Sequence, residues 1–128
     1  MFFDILNRAN STGRQVCRGR SHPKRSHTAL GAVYLGDPIE LLLLKPDGTH
    51  DRVVIGPALA DGQHMQFPIP GDAFHTARLL GNGHWFLGGS TEWLGVIPSD
   101  VEIGDVEQLA RTYPDAADMI RSIARSVV

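Results

Sequence analysis

The chain has 128 residues, 42% of them hydrophobic and 20% charged, which suits a single domain with its own core. One cysteine, Cys17, excludes an internal disulfide framework, and no apolar run approaches the roughly 18–20 residues of a membrane span. The opening MFFDILNRAN has neither the apolar stretch nor the small-residue cleavage site of a signal peptide, so a cytoplasmic protein without a membrane partner is expected. The net charge of −2 hides an asymmetry: residues 1–30 carry six basic residues against Asp4 alone, and the remainder carries six against thirteen acidic ones. That basic stretch has no aromatic residue to stack on bases and is broken by Gly13, Gly19 and Pro23. It reads as an atypical arm, and a nucleic-acid partner is not expected.

From residue 31 the texture is that of a β protein, with short apolar runs separated by turn signals. AVYL (32–35) predicts a strand that stops at Gly36-Asp37-Pro38. IELLLL (39–44) predicts a second, apolar enough to be buried on both faces, with DRVVIG (51–56) returning across Pro46-Asp47-Gly48. QFPI (66–69) predicts a short strand. AFHTARLL (73–80) and HWFLGG (84–89) predict a hairpin across Gly81-Asn82-Gly83. The period then changes. Asp105 can cap a helix over VEQLARTY, and Pro114 can open the next helix at its first turn. Ala116, Met119, Ile120, Ile123 and Val127 share one helical face, suited to core or dimer packing. These elements divide the chain into an arm over 1–30, a barrel core over 31–103 and a helical tail over 104–128 of the same domain.

Several catalytic templates fail. No phosphate-loop signature is present, Gly81 and Gly83 join two strands rather than a strand to a helix, and Ser90 has no nucleophile-elbow context. Of six histidines, His50 and His84 sit beside turns, His22 and His27 lie in the arm, and His64 precedes a short strand. His75 lies mid-strand, where alternation puts it on one face with Ala77 and opposite Phe74, Thr76 and Arg78.

Pro70 and His75, a turn proline with a histidine five residues later, resemble the second sequence motif of the cupins, with the motif glycine displaced to Gly71. The segments GDPIELLLLKPDGTHDRVVIG, PGDAFHTARL and GHWFLGGSTEWLGVIPSDVEIGDVEQL, in that order, extend the resemblance from about Tyr34 to Ile123. They are similar to a branch of small cupins related in structure to the dTDP-sugar epimerases. The resemblance implies an all-β, cupin-like double-stranded β-helix, or jelly-roll barrel, with short C-terminal helices, and a homodimer. It departs at the front: the branch's Asp-Glu pair falls on Thr28-Ala29, its Trp on Gly31, and its histidine near His22 or Pro23. Metal-binding cupins use about three histidines and one carboxylate. Here the carboxylate position is Ala29 and no His-x-His occurs, so no metal and no other cofactor is expected.

What remains is a pocket in a small barrel. Its expected lining is His75, Gln66, Tyr34, Trp85, Glu92 and Trp93, an aromatic and polar set suited to a sugar-like or other small polar ligand. With the acids and Trp lost, the pocket should be wide, with Glu92 its main carboxylate beside a neutral His75. The alternative is a metal-independent sugar isomerase or epimerase, in which the resemblance implies His75 as base and Tyr34 as acid.

Overall fold

The computed structural model describes residues 2–7, 17–19, 29–82, 84–92, 99 and 101–125. Two antiparallel sheets face each other. The first has the order β1 (Phe2–Asn7), β8 (Trp85–Glu92), β3 (Ala29–Gly36), β6 (Gln66–Ile69). The second has the order β5 (His50–Ile55), β4 (Ile39–Leu44), β7 (Phe74–Leu79), β2 (Cys17–Gly19), β9 (Val101–Ile103). Two helices, α1 (Val106–Thr112) and α2 (Ala117–Arg125), follow, joined by a 3-10 turn at Pro114–Ala116. This is the jelly-roll arrangement that the resemblance implies, with two inner faces that enclose a core.

The strand IELLLL is buried at every position because it has apolar neighbours on both sides. Its odd residues Ile39, Leu41 and Leu43 join Val53, Ile55, Phe67, Ile69, Ala77, Leu79 and Phe86 between the sheets. Its even residues Leu42 and Leu44 join Phe74, Leu109, Tyr113, Ala116 and Ile120 beneath the helices. The outer face of the second sheet is therefore covered. Asp105 caps α1 by accepting from the Gln108 N–H at 2.7 Å, and Glu107 lies in its first turn. The buried Tyr113 hydroxyl donates to the Lys45 carbonyl at 2.6 Å, which ties the end of α1 to the end of β4. Of the apolar helical face, Ala116, Ile120 and Ile123 are buried and Met119 packs on the same core. That face is spent within the chain, and Val127 lies outside the described residues.

Three features differ from the expectation. AFHTARLL and HWFLGG do not form a hairpin: β7 pairs with β4 and β2, whereas β8 pairs with β1 and β3. Their connection crosses from one sheet to the other, with Gly81 at φ +55° to make the turn. β1 and β2 lie within the first thirty residues and pair with β8, β7 and β9, and β3 starts at Ala29. Glu40, inside the apolar strand, is buried with two arginine partners. Its Oε1 accepts from Arg52 Nε at 2.9 Å, and its Oε2 from Arg78 Nε at 2.8 Å. Burial raises the Glu40 pKa, but the Arg78 and Arg52 guanidiniums outweigh it and hold the carboxyl below its usual range.

Gly36 and Asp37 fix where β8 begins. The Asp37 N–H donates to the Trp85 carbonyl at 2.8 Å, and the Asp37 carboxylate accepts from the N–H groups of His84 and Trp85. Those two N–H groups hold the Asp37 pKa below its ordinary value. Gly36 has φ +99°, and a Cβ there would lie 2.6 Å from the Trp85 carbonyl oxygen, so the close approach demands glycine.

Candidate functional site

Register and strand alternation decide which side chains face the space between the sheets. On β7, Leu79, Ala77 and His75 are Cα partners of Ile39, Leu41 and Leu43 on β4, all three on the inner face. His75 therefore belongs to the interior, and Arg78 to the helix-covered face, where it meets Glu40. On β8, Phe86 is in the inner core, so Gly88 and Ser90 share its face.

Because β7 and β8 are joined at the Leu79 and Phe86 ends, the interior can be counted in levels away from that connection. Leu79 and Phe86 form a packed level. Ala77 and Gly88 form the next, with Leu41 and Val53 in the row of Ala77 and Val33 and Asp4 opposite Gly88. His75 and Ser90 form the third. On the second sheet this third level reads Asp51, Leu43, His75, Cys17 across β5, β4, β7 and β2. On the first sheet Ser90 stands opposite Gly31, which in turn stands opposite the inward Phe67. Two glycines, Gly31 and Gly88, thus reach the inner face without a side chain. Facing sheets lie about 10 Å apart. The third level is polar at His75 and Ser90 and apolar at Leu43 and Phe67, and Phe2 of β1 stands opposite Ser90.

His75 is partly buried, and desolvation lowers its pKa, offset in part by a backbone hydrogen bond with Ala73. It stands in its neutral form at neutral pH, able to donate with one ring nitrogen and accept with the other.

The other expected lining residues fall elsewhere. Gln66 is exposed and alternates with Phe67 and Ile69, which face inward, so it lies on the outer face of the first sheet. Trp85 is 44% exposed and alternates with the inward Phe86, so it too lies outside, beside the exposed Leu35 and over Gly36. Tyr34 occupies a β-bulge: the register of β3 on β8 shifts between Val33 and Leu35. Glu92 stands opposite Ala29 at the end of β8, one level beyond Ser90. Trp93 lies outside the described residues, as do His22 and His27. His64 is exposed, edge-on to Phe67 with ring centroids 5.5 Å apart.

Ser90, Gly31 and Gly88 are site positions that residue chemistry alone passed over. Counting alternate residues back from a strand's inward aromatic, Phe86, would have found Ser90. Gly31 needed its partner strand. Among the described residues no group of three or more His, Cys, Asp or Glu comes together to hold a metal.

The comparisons with known proteins agree with this architecture. Two solved structures share the fold: a crystal structure of a Shewanella oneidensis protein, 18% identical with a TM-score of 0.79, and a hypothetical protein from Leishmania major, 19% identical with a TM-score of 0.78. Each match covers 94% of this chain, and 71% and 72% respectively of the other. No curated protein matches the chain. Among the described residues no helix is long and apolar enough to cross a membrane. The family described as Cupin superfamily (DUF985) matches residues 19–103, which include Pro70, His75 and Ser90, and the chain belongs to that family.

Proposed function

We propose that this cupin binds a small molecule in the barrel interior, at the level of His75 and Ser90. The observation that carries this reading is the register, which puts two hydrogen-bonding side chains, His75 and Ser90, at inward positions of facing strands, with glycine at the inward positions Gly31 and Gly88. Small barrels either fill their interior or hold one small ligand, and glycine at two inward positions argues for the second. A neutral imidazole and a hydroxyl supply both donors and acceptors without demanding a charged partner. The lining differs from the one the residues alone suggested, since Gln66 and Trp85 turn outward.

An epimerase reading has one supporting observation, the neutral state of His75, the form in which an imidazole can act as a base. Its acid, Tyr34, is the bulge residue of β3.

A thermal-shift screen of free sugars, polyols and aromatic alcohols tests the binding reading. A stabilising compound should lose its effect in His75→Ala and in Gly31→Leu, and keep it in Trp85→Ala. Loss of the effect in Trp85→Ala with retention in His75→Ala would place the site outside the barrel. Incubation of any such ligand in deuterium oxide then separates the readings. Binding without carbon-bound deuterium supports a binding protein, and exchange abolished by His75→Ala supports catalysis.

A further inference from the structure

We infer that Arg52 and Arg78 together form a surface site for a phosphate group, on the outer face of the second sheet and independent of the interior reading above. The observation that carries it is the balance of charge within the described ion pairs. Lys45 pairs with Asp51, and Arg121 with Glu107, one cation to one carboxylate. Arg52 and Arg78 instead share Glu40, so among the described residues this group holds a cation in surplus. Register shows how the sharing arises. Arg78 on β7 is the Cα partner of Glu40, and Arg52 on β5 stands opposite Leu42, the next residue of β4 on the same face. The buried carboxylate between them fixes both guanidiniums. Its Oε1 accepts from Arg52 Nε and Nη2, and its Oε2 from Arg78 Nε at 2.8 Å and Nη2 at 2.6 Å.

A guanidinium can grip an oxyanion by either of two edges, Nε with one terminal nitrogen or the two terminal nitrogens together. Both arginines spend the first edge on Glu40, and among the described residues neither pairs with a second carboxylate. Arg78 Nη1 donates to Ser122 Oγ at 3.3 Å, and that hydroxyl donates onward to the Met119 carbonyl at 2.8 Å, which holds the Arg78 fork beside α2. The Arg52 side chain is 55% exposed and that of Arg78 35%, so an anion can reach both from solvent. The exposed Asp118 lies on α2 one turn before Ser122, where its charge is felt by Arg121. Ordering two long side chains is normally a cost of binding, and here the fold has already met it through Glu40. Because both forks reach one carboxylate, both lie within reach of one small anion. A tetrahedral oxyanion directs its oxygens several ways, so a single phosphate can accept from both forks, and the surplus cation compensates its charge in part.

Nitrogen–proton NMR spectra of the full chain test this through the Nε–H signals of Arg52 and Arg78, assigned by their loss in Arg52→Lys and Arg78→Lys. Sodium phosphate is titrated against sodium chloride at equal ionic strength, so that screening stays constant. Both signals should move saturably with phosphate and share one midpoint. Arg52→Gln, read at the Arg78 signal, should weaken phosphate about 10-fold or more, and Arg121→Gln should leave the midpoint within about 2-fold. Arg52→Lys, which keeps the charge and removes the fork, should fall between the two and covers the case in which Arg52→Gln disturbs the fold. Phenyl phosphate separates the sources of the group: a midpoint below that of inorganic phosphate assigns the site to a phosphate ester, and an equal or higher one to the free ion. Movement with phosphate no greater than with chloride, or a weakening in Arg121→Gln as large as in Arg52→Gln, overturns the inference and leaves the interior reading untouched.

Discussion

Replacing Glu40 by glutamine should destabilise the protein by about 2–3 kcal/mol. The Glu40 side chain is 8% exposed, and it accepts from the Nε and a terminal nitrogen of both Arg52 and Arg78. Removing one member of a buried, hydrogen-bonded ion pair costs about 3–5 kcal/mol, because the remaining charge is stranded. Here the stranded groups are guanidiniums whose side chains are 55% and 35% exposed, so water recovers part of the loss, which places the expected cost below that range. Glutamine also keeps one carbonyl acceptor while aiming its amide N–H groups at donors. By the same logic Arg78→Met should cost more than Arg52→Met, since Arg78 is the less exposed and also reaches Ser122 Oγ at 3.3 Å. Urea unfolding followed by circular dichroism gives the midpoints, and an unchanged slope shows that the comparison is one of stability. A loss below about 0.5 kcal/mol for Glu40→Gln, or a larger loss for Arg52→Met than for Arg78→Met, would refute the reasoning about this buried triad.

Three further outcomes follow from the structure. The folded-state pKa of His75 lies below its unfolded value, so the unfolded chain binds more protons and stability is lost as pH falls below about 6.5 toward the folded value. His75→Gln should flatten that leg in urea midpoints, leaving the acid loss from the depressed carboxyls Glu40, Asp37 and Glu107, which begins only below about 4.5. Thr76 is 4% exposed and its hydroxyl is buried without a hydrogen bond, so Thr76→Val should raise stability by about 1 kcal/mol, and a loss of that size would contradict the assignment. Gly36→Ala forces a Cβ onto the Trp85 carbonyl at a left-handed φ and should cost about 3 kcal/mol, seen as a lowered melting temperature in calorimetry, whereas Gly48→Ala meets no atom within 4 Å and should cost less.

Much of the fold was legible in the residues. The strand over 39–44 and its return, QFPI, the Asp105 cap and the helical face of Ala116, Ile120 and Ile123 all follow from local period and turn chemistry. What local signals could not show is which strands pair. Gly81-Asn82-Gly83 looks like a hairpin turn, yet the strands it joins belong to different sheets, because β7 finds a better apolar partner in IELLLL. β1, β2 and β9 are short or sit among polar and basic residues, and their pairing depends on long-range partners that no window of sequence contains.

The site shows the same division. Alternation fixed that His75 and Arg78 face opposite ways, and the inner position of Leu43 then decided which way each faces. Gln66 and Trp85 were chosen for their chemistry, and their neighbours Phe67 and Phe86 claim the inner face instead. A strand has only one inner parity, and the larger apolar side chain takes it. Gly31 marks the converse: the loss of a family tryptophan is visible in sequence, but its place beside Ser90 is visible only in the register.

The most direct test of the account is a crystal structure of the protein grown with the probe compound that stabilises it most in the thermal-shift screen. The account places the probe between the sheets, within hydrogen-bond reach of His75 or Ser90 and against Leu43 and Phe67. A probe resting instead on the outer face against Trp85 and Leu35, with the space beside Gly31 and Gly88 filled by protein side chains, would contradict it.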